Sequence, residues 1–407
     1  MNNLQTTKSE YLLRVLAGAT FIIFFQLYMV APLIPSLSSF FKTTEQKVGL
    51  IVPAYLIPYG LSTLFYGLLA DKIGAKRIIL TSLFVFSILT ALTAFSQSVN
   101  QLIIWRFITG IGASGVVPLS LAWIGQTYAF EERGRPLGWL FGAMAGGGAF
   151  GSSFGVILEP FVGWKMLFIG VSVIGVIIWL ISYRTYQKAE ATKITLHVLT
   201  LNIVFEGYKQ LLSSQRGKTA YVFVLLNAIF HAGVFTWLGL YFERTFGLNG
   251  VEIGLALLGY GIPGFLLGPY IGKLADKFGR RKLLPLGLAL SALSALILVF
   301  NIQLGLAALA VTILSMGYDL TQPLLAGIIT QVGKERSGQA MSLNVFMLFI
   351  GFGLGSYLFG LALKLSLVEA LKIFSIFQIV LSAISLPLFK TERNTNSLIK
   401  DTLTIKS

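Results

Sequence analysis

Four ionisable side chains fall inside or at the edge of long apolar runs, where charge is costly: Arg106, Glu159, His231 and Asp319. Asp319, within Ser315-Met316-Gly317-Tyr318-Asp319-Leu320-Thr321-Gln322-Pro323, lies near the middle of its run, and His231 lies about midway along another. A carboxyl or imidazole there can gain and lose a proton away from bulk water, which is the chemistry an ion-coupled process requires. Asp319 is therefore the leading candidate. Arg106, in Arg106-Phe107-Ile108-Thr109-Gly110-Ile111-Gly112-Ala113, stands about five residues, or roughly 7 Å, below the boundary at Gln101. A guanidinium at that depth needs a partner, backbone carbonyls or a water-filled cavity, and it serves either proton transfer or anion contact. Glu159, next to Pro160 at the end of its run, reads as a boundary charge, or else as a second protonation site or gate. Gln26, Tyr28, Asn227, Trp237, Tyr318, Gln322 and Asn344 can add hydrogen bonds and aromatic surface to a substrate cavity.

Other chemistries are excluded by what is missing. The chain has no cysteine, so it holds neither a thiolate metal site nor a cysteine nucleophile. It has only two histidines, His197 and His231, and neither a Gly-x-Ser-x-Gly elbow nor a His-Glu-x-x-His pair, so it is not expected to be an enzyme. A Walker phosphate loop is absent as well, which leaves an ion gradient, with no cofactor, as the source of energy.

These residues must be positioned by membrane helices. The chain is 55% hydrophobic and 12% charged, against roughly 25% charged for soluble domains. A hydrocarbon core about 30 Å thick takes roughly 20 residues per helix. Twelve runs qualify, near 12–37, 48–70, 77–97, 102–126, 137–158, 164–183, 219–242, 251–272, 281–300, 305–330, 338–363 and 368–389. The expected fold is all-α and integral to the membrane. The first run is too long, and lacks the small-residue cleavage pattern, for a removed signal peptide, so it is expected to stay. With both termini cytoplasmic, 24 of the 31 lysines and arginines fall on one side and six on the other, with Arg106 between. This asymmetry predicts the orientation, and it assigns the net charge of +15 to anionic inner-leaflet lipid rather than nucleic acid.

The chain is also duplicated. Gly67-Leu68-Leu69-Ala70-Asp71-Lys72-Ile73-Gly74-Ala75-Lys76-Arg77 recurs as Gly272-Lys273-Leu274-Ala275-Asp276-Lys277-Phe278-Gly279-Arg280-Arg281-Lys282, 205 residues on. Each copy joins two spans at the same place in its half, the pattern of a secondary transporter built from two repeats. The expected division is an N-terminal six-helix bundle over 1–183, a cytoplasmic linker with a short amphipathic helix over 184–218, and a C-terminal six-helix bundle with a short tail over 219–407. The repeated loop resembles the signature loop of the major facilitator superfamily, with Ala75 where that pattern has Arg and a closer match at Gly279-Arg280-Arg281. The resemblance covers nearly the whole chain. It implies twelve transmembrane helices in two pseudo-symmetric six-helix bundles, alternating access, loops that latch the cytoplasmic face, and a central cavity lined by the first, fourth, seventh and tenth spans. By that resemblance Asp319, His231 and Arg106 stand on cavity helices, and the gating residues are Gly67, Asp71, Lys72, Gly74, Arg77, Gly272, Asp276, Lys277, Gly279, Arg280 and Arg281. The Arg106 segment is similar to the family's Arg-x-x-Gln-Gly-x-Gly-x pattern, with Thr109 in place of Gln.

Gly142, Gly151 and Gly155 match the glycines that open the motif of the family's drug/proton antiporters, but Val156 and Leu158-Glu159 replace its proline and final glycine pair. Glycines at this spacing also let helices approach closely, as do Gly147/Gly151/Gly155 and Gly351/Gly355. The expected activity is proton-coupled efflux of small amphipathic compounds or metabolites across a plasma membrane, a bacterial inner membrane by the compactness of the chain. The partners are a small-molecule substrate and membrane lipid, in a monomer. The alternatives are a proton-coupled importer of a small organic anion, with Arg106 binding substrate, and a lysolipid or lipid flippase.

Overall fold

A computed structural model describes residues 3–128, 134–188, 201–262, 266, 279–333 and 336–392. Gly272, Asp276, Lys277 and His197, and the side chains of Gly67, Asp71 and Lys72, lie outside the described set. Every regular element among the described residues is helical. In the first half these are α1 (Asn3–Met29), α2 (Ile34–Phe41), α3 (Glu45–Gly49), α4 (Pro53–Ile73), α5 (Ala75–Ala94), α6 (Val99–Ala113), α7 (Val116–Thr127) and α8 (Gly134–Lys188). A linker helix α9 (Leu201–Ser213) precedes the second half, α10 (Gln215–Thr236), α11 (Leu238–Phe246), α12 (Gly250–Ala256), α13 (Arg280–Ile297), α14 (Leu304–Gly333), α15 (Ser337–Ala362) and α16 (Leu367–Leu388).

Nine of the described helical stretches are long and apolar enough to cross a membrane. One of them, α8, turns at Gly163 (φ 75°, ψ 152°) and so supplies both the fifth and the sixth span. The seventh span begins at Gln215, four residues before the apolar run, because Ser214 caps the helix by accepting from the Gly217 N–H. The eighth begins at Gly250 under a capping box between Asn249 and Glu252. The ninth, α13, carries Arg280, Arg281 and Lys282 in its first turn, which is why a hydropathy criterion alone passes over it.

Several apolar runs that read as single spans are broken in the structure. The first bends through a 3-10 turn at Ala31–Leu33 between α1 and α2, where Pro32 and Pro35 lack the N–H a continuous helix would use. The seventh bends at Trp237, between α10 and α11. The two breaks meet: a Cβ on Gly239 would stand 3.0 Å from the Cα of Pro32.

The duplication is visible in the backbone. Gly74 (φ 91°, ψ 133°) and Gly279 (φ 77°, ψ 148°), 205 residues apart, hold the same left-handed turn between the second and third spans and between the eighth and ninth. Close helix pairs repeat as well. Gly147, Gly151 and Gly155 receive Phe21, Phe25 and Met29 of the first span, so tightly that a Cβ on Gly151 would strike the Phe25 carbonyl and one on Gly155 would lie 2.6 Å from the Met29 Cβ. Gly351 and Gly355 receive the seventh span in the same way, at the Leu225 and Ile229 carbonyls. Gly142 faces open space instead.

Contacts between the halves cluster toward the end that is poor in lysine and arginine. Arg244 donates to Glu45 at 3.0 Å, and Trp237 fills the space beside Gly49 and Gly360 while its Nε1 donates to the Ser356 carbonyl at 3.2 Å. Tyr59 and Phe349 stack with centroids 4.2 Å apart, and Ile57 sits against Gly353. On the opposite seam Gly250, Gly254 and Gly261 abut Pro160, Ile157 and Ala149 of α8.

Candidate functional site

Asp319 lies midway along α14, about 22 Å from either end of the helix. It is half-buried, and its Oδ2 accepts from Ser315 one turn earlier at 3.0 Å. Its local frame is soft, because Pro323 has no N–H to offer the Asp319 carbonyl and Gly317 precedes it. Three tyrosines are its electrostatic neighbours: Tyr28 of the first half, Tyr260 in the turn after α12, and Tyr318.

His231 belongs to the same group. A hydrogen bond of 2.5 Å joins its Nε2 to the Tyr260 hydroxyl, and its ring stacks on Tyr318 with centroids 3.5 Å apart. Phe235 bridges to Tyr260 at 4.5 Å and to Tyr28 at 5.2 Å, so an aromatic wall runs from one half to the other. A narrow cleft opens between the halves here, walled by Tyr28, Val52 and Leu56 on one side and His231, Phe235 and Phe352 on the other. Tyr28 and His231 thus belong both to the cleft and to the surroundings of Asp319. Apolar walls with the Asp319 carboxylate nearby suit apolar ligand surface that carries a polar or cationic group.

Arg106 is placed differently. It is fully buried within the first half, its guanidinium lies 4.2 Å from the ring centroid of Tyr55, and its Nε donates to the Ile51 carbonyl at 3.3 Å. Nη1 and Nη2 find no partner among the described residues. An aromatic chain links it outward through Tyr55, Tyr59, Phe349 and Phe352 to Tyr318. Glu159 lies farther off, at the lysine-poor end, accepting from Ser36 at 2.7 Å.

The remaining cavity candidates divide. Tyr28 and Tyr318 stand at the site. Asn227 is sealed among helices of the second half, donating to Thr321 at 2.8 Å and accepting from Gln378 at 2.8 Å. Trp237 packs at the seam. Gln26, buried in the first span, Gln322 and Asn344 each carry a buried amide atom without a partner among the described residues. Of the residues expected to gate, Gly74 and Gly279 set the turns, Arg77 is exposed, and Arg280 lies 3.0 Å from where a Cβ on Gly327 would stand. The backbone N–H of Arg281 donates to the Glu392 carbonyl at 3.0 Å.

Tyr260, Ser315, Phe235, Phe352 and Tyr55 were not singled out from sequence. Ser315 carried a usable signal, four residues before Asp319 on the same helix face. Tyr260 and Tyr55 carried none, since each meets its partner from another helix.

With this geometry in view, comparison with known proteins is decisive on kinship. A family model described as Major Facilitator Superfamily matches residues 16–356 and 220–402. The chain belongs to the major facilitator superfamily. It is 21% identical over 356 residues to multidrug resistance protein 2 of Bacillus subtilis, covering 85% of this chain and 88% of that one. It is 24% identical over 344 residues to the quinolone resistance protein NorA of Staphylococcus aureus, covering 84% and 87%. Among solved structures, an inward-facing bacterial homologue of the human lysosomal transporter Spinster superposes with a TM-score of 0.79 at 16% identity, covering 95% of this chain and 98% of that one. The protein is therefore a multi-pass membrane transporter of the twelve-helix, two-bundle type and not an enzyme.

Proposed function

We propose that this transporter is a proton-coupled exporter of small amphipathic compounds, with Asp319 as the proton carrier. The observation that carries the reading is the position of Asp319: a half-buried carboxylate at mid-membrane depth, beside a cleft built by both halves and ringed by tyrosines from each. A group there can exchange its proton for a substrate as the halves rock, because the cleft walls move with different halves. His231 is assigned to hold Tyr260 toward that carboxylate. The printed names of two relatives, a multidrug and a quinolone resistance protein, support export of such compounds.

In this reading the basic end faces the cytoplasm with both termini, in a bacterial inner membrane, and the gradient alone supplies energy to a monomer. The repeated loops, with Asp71 and Asp276, latch the cytoplasmic face, and the seam through Trp237 and the Glu45–Arg244 pair closes the outer one. An anion importer using Arg106 is disfavoured, because that guanidinium is fully buried against Tyr55. The test is compound-triggered proton movement in energised inside-out vesicles bearing wild type, Asp319→Asn or no transporter. Proton release that needs both compound and Asp319 supports the reading. Silence with amphipathic cations, alongside uptake of labelled lysolipid, would replace it with the flippase.

A further inference from the structure

Asp319 is wired to the seam between the halves. The Ser315 hydroxyl donates to Asp319 Oδ2 at 3.0 Å, and Ser315 Oγ in turn accepts from the backbone N–H of Gly261 at 2.9 Å. Helix hydroxyls ordinarily donate back to a carbonyl three or four residues earlier, as Thr312 and Ser291 do here to Ala308 and Gly287. Ser315 points forward to a carboxylate instead. Gly261 lies in the break that follows α12, in the left-handed region at φ 79°. It also presses on the other half: a Cβ there would sit 2.9 Å from the Ala149 Cβ and 3.0 Å from its Cα. The hydrogen bonds thus run from the carboxylate of α14, through one hydroxyl, to the peptide of the eighth span that touches the fifth.

The polarity of that chain depends on the proton. An ionised carboxylate only accepts, so it draws the single Ser315 proton and leaves the hydroxyl oxygen to take the Gly261 N–H, both bonds being strengthened by the charge. Once protonated, Asp319 can itself donate, the Ser315 hydroxyl is free to turn, and the hold on the Gly261 peptide weakens. The titratable groups facing this carboxylate include, among the described residues, Tyr28, Tyr260 and Tyr318, with His231 behind Tyr260.

We propose that Ser315 is a positioning residue that transmits the protonation state of Asp319 to the Gly261 break, and through it to the packing of the eighth span on the fifth. This rests on the assignment of Asp319 as proton carrier. A relay of this kind makes the seam of the substrate-free transporter tight when Asp319 is ionised and loose when it is protonated, so that the empty carrier rocks only after a proton is taken.

The chain has no cysteine, which permits a direct test on the full-length protein. Spin labels at Arg184→Cys and Lys390→Cys, exposed positions in the two halves at the basic end, report their separation by pulsed electron resonance at pH 5.5 and 8.5. Wild type should change its distance distribution with pH. Ser315→Ala should diminish the pH-dependent change in the ratio of the two populations roughly tenfold, the worth of one charge-assisted bond. Ser315→Thr, which keeps the hydroxyl, should restore it, and Ser315→Gly serves if the alanine variant does not fold. A Ser315→Ala protein that shifts as wild type does would overturn the relay while leaving the carrier intact. A pH shift that persists in Asp319→Asn would overturn the carrier itself.

Discussion

The two halves share a scaffold but not a chemistry. In each, the start of the third helix is tied to the end of the sixth: Lys76 donates to the Tyr186 carbonyl in the first half, and the Arg281 N–H, 205 residues on, donates to the Glu392 carbonyl in the second. In each, a left-handed glycine precedes that helix, and a glycine groove seats a cavity helix. At mid-membrane the likeness ends. The second half holds two bonded pairs, Ser315–Asp319 and His231–Tyr260, together with the Gln378–Asn227–Thr321 chain, whereas the first half holds a sealed Arg106 over Tyr55. The frame is duplicated, and the ionisable groups at its centre are not.

The shared frame should break equally in both halves. Gly151→Leu and Gly355→Leu each push a side chain into the backbone of the partner helix, and each should abolish folded protein or lower its stability by about 3 kcal/mol or more. Gly142→Ala, which meets open space, should leave the melting profile in detergent unchanged. Unequal losses at Gly151 and Gly355 would break the symmetry.

The basic-end clasps should differ. Glu392, 7% exposed, takes two bonds from Arg216, at 2.5 and 2.8 Å, while Arg216 also holds Gln331 at 2.7 Å. Its counterpart joins Glu10 to Arg135, whose side chain is 62% exposed. Arg216→Ala should therefore cost about 2 kcal/mol, and Arg135→Ala less than about 1 kcal/mol. Denaturant titration of purified protein would order the two.

The smallest effect sharpens the contrast at mid-membrane. A double-mutant cycle of Asn227→Leu and Gln378→Leu should give a coupling of about 0.6 to 2 kcal/mol, the range for hydrogen bonds between membrane helices. Transport with unchanged substrate preference in those variants would confirm that Asn227 braces the bundle rather than contacting substrate.

Much of the frame was legible in the sequence because hydropathy, charge asymmetry and the repeated loop are each local signals. The breaks at Ala31–Leu33 and Trp237 were not, since the apolar composition continues through them; Pro32 and Pro35 accompany the first, but no proline marks the second, which packs against it. At the site, Asp319 stood out because a carboxylate in hydrocarbon is conspicuous at any rotation of its helix. Tyr260 did not, because its pairing with His231 depends on how two helices are rotated. Asn227 looked like a cavity residue for the same reason, and only the positions of Thr321 and Gln378 reveal that it faces inward.

The central claim is that one carboxylate in the second half carries the proton for both. Its most direct test is substrate movement by reconstituted Asp319→Asn in proteoliposomes, with and without an imposed pH gradient. Uphill transport should disappear while downhill exchange persists at a comparable rate. Uphill transport at the wild-type level in that variant would contradict the claim.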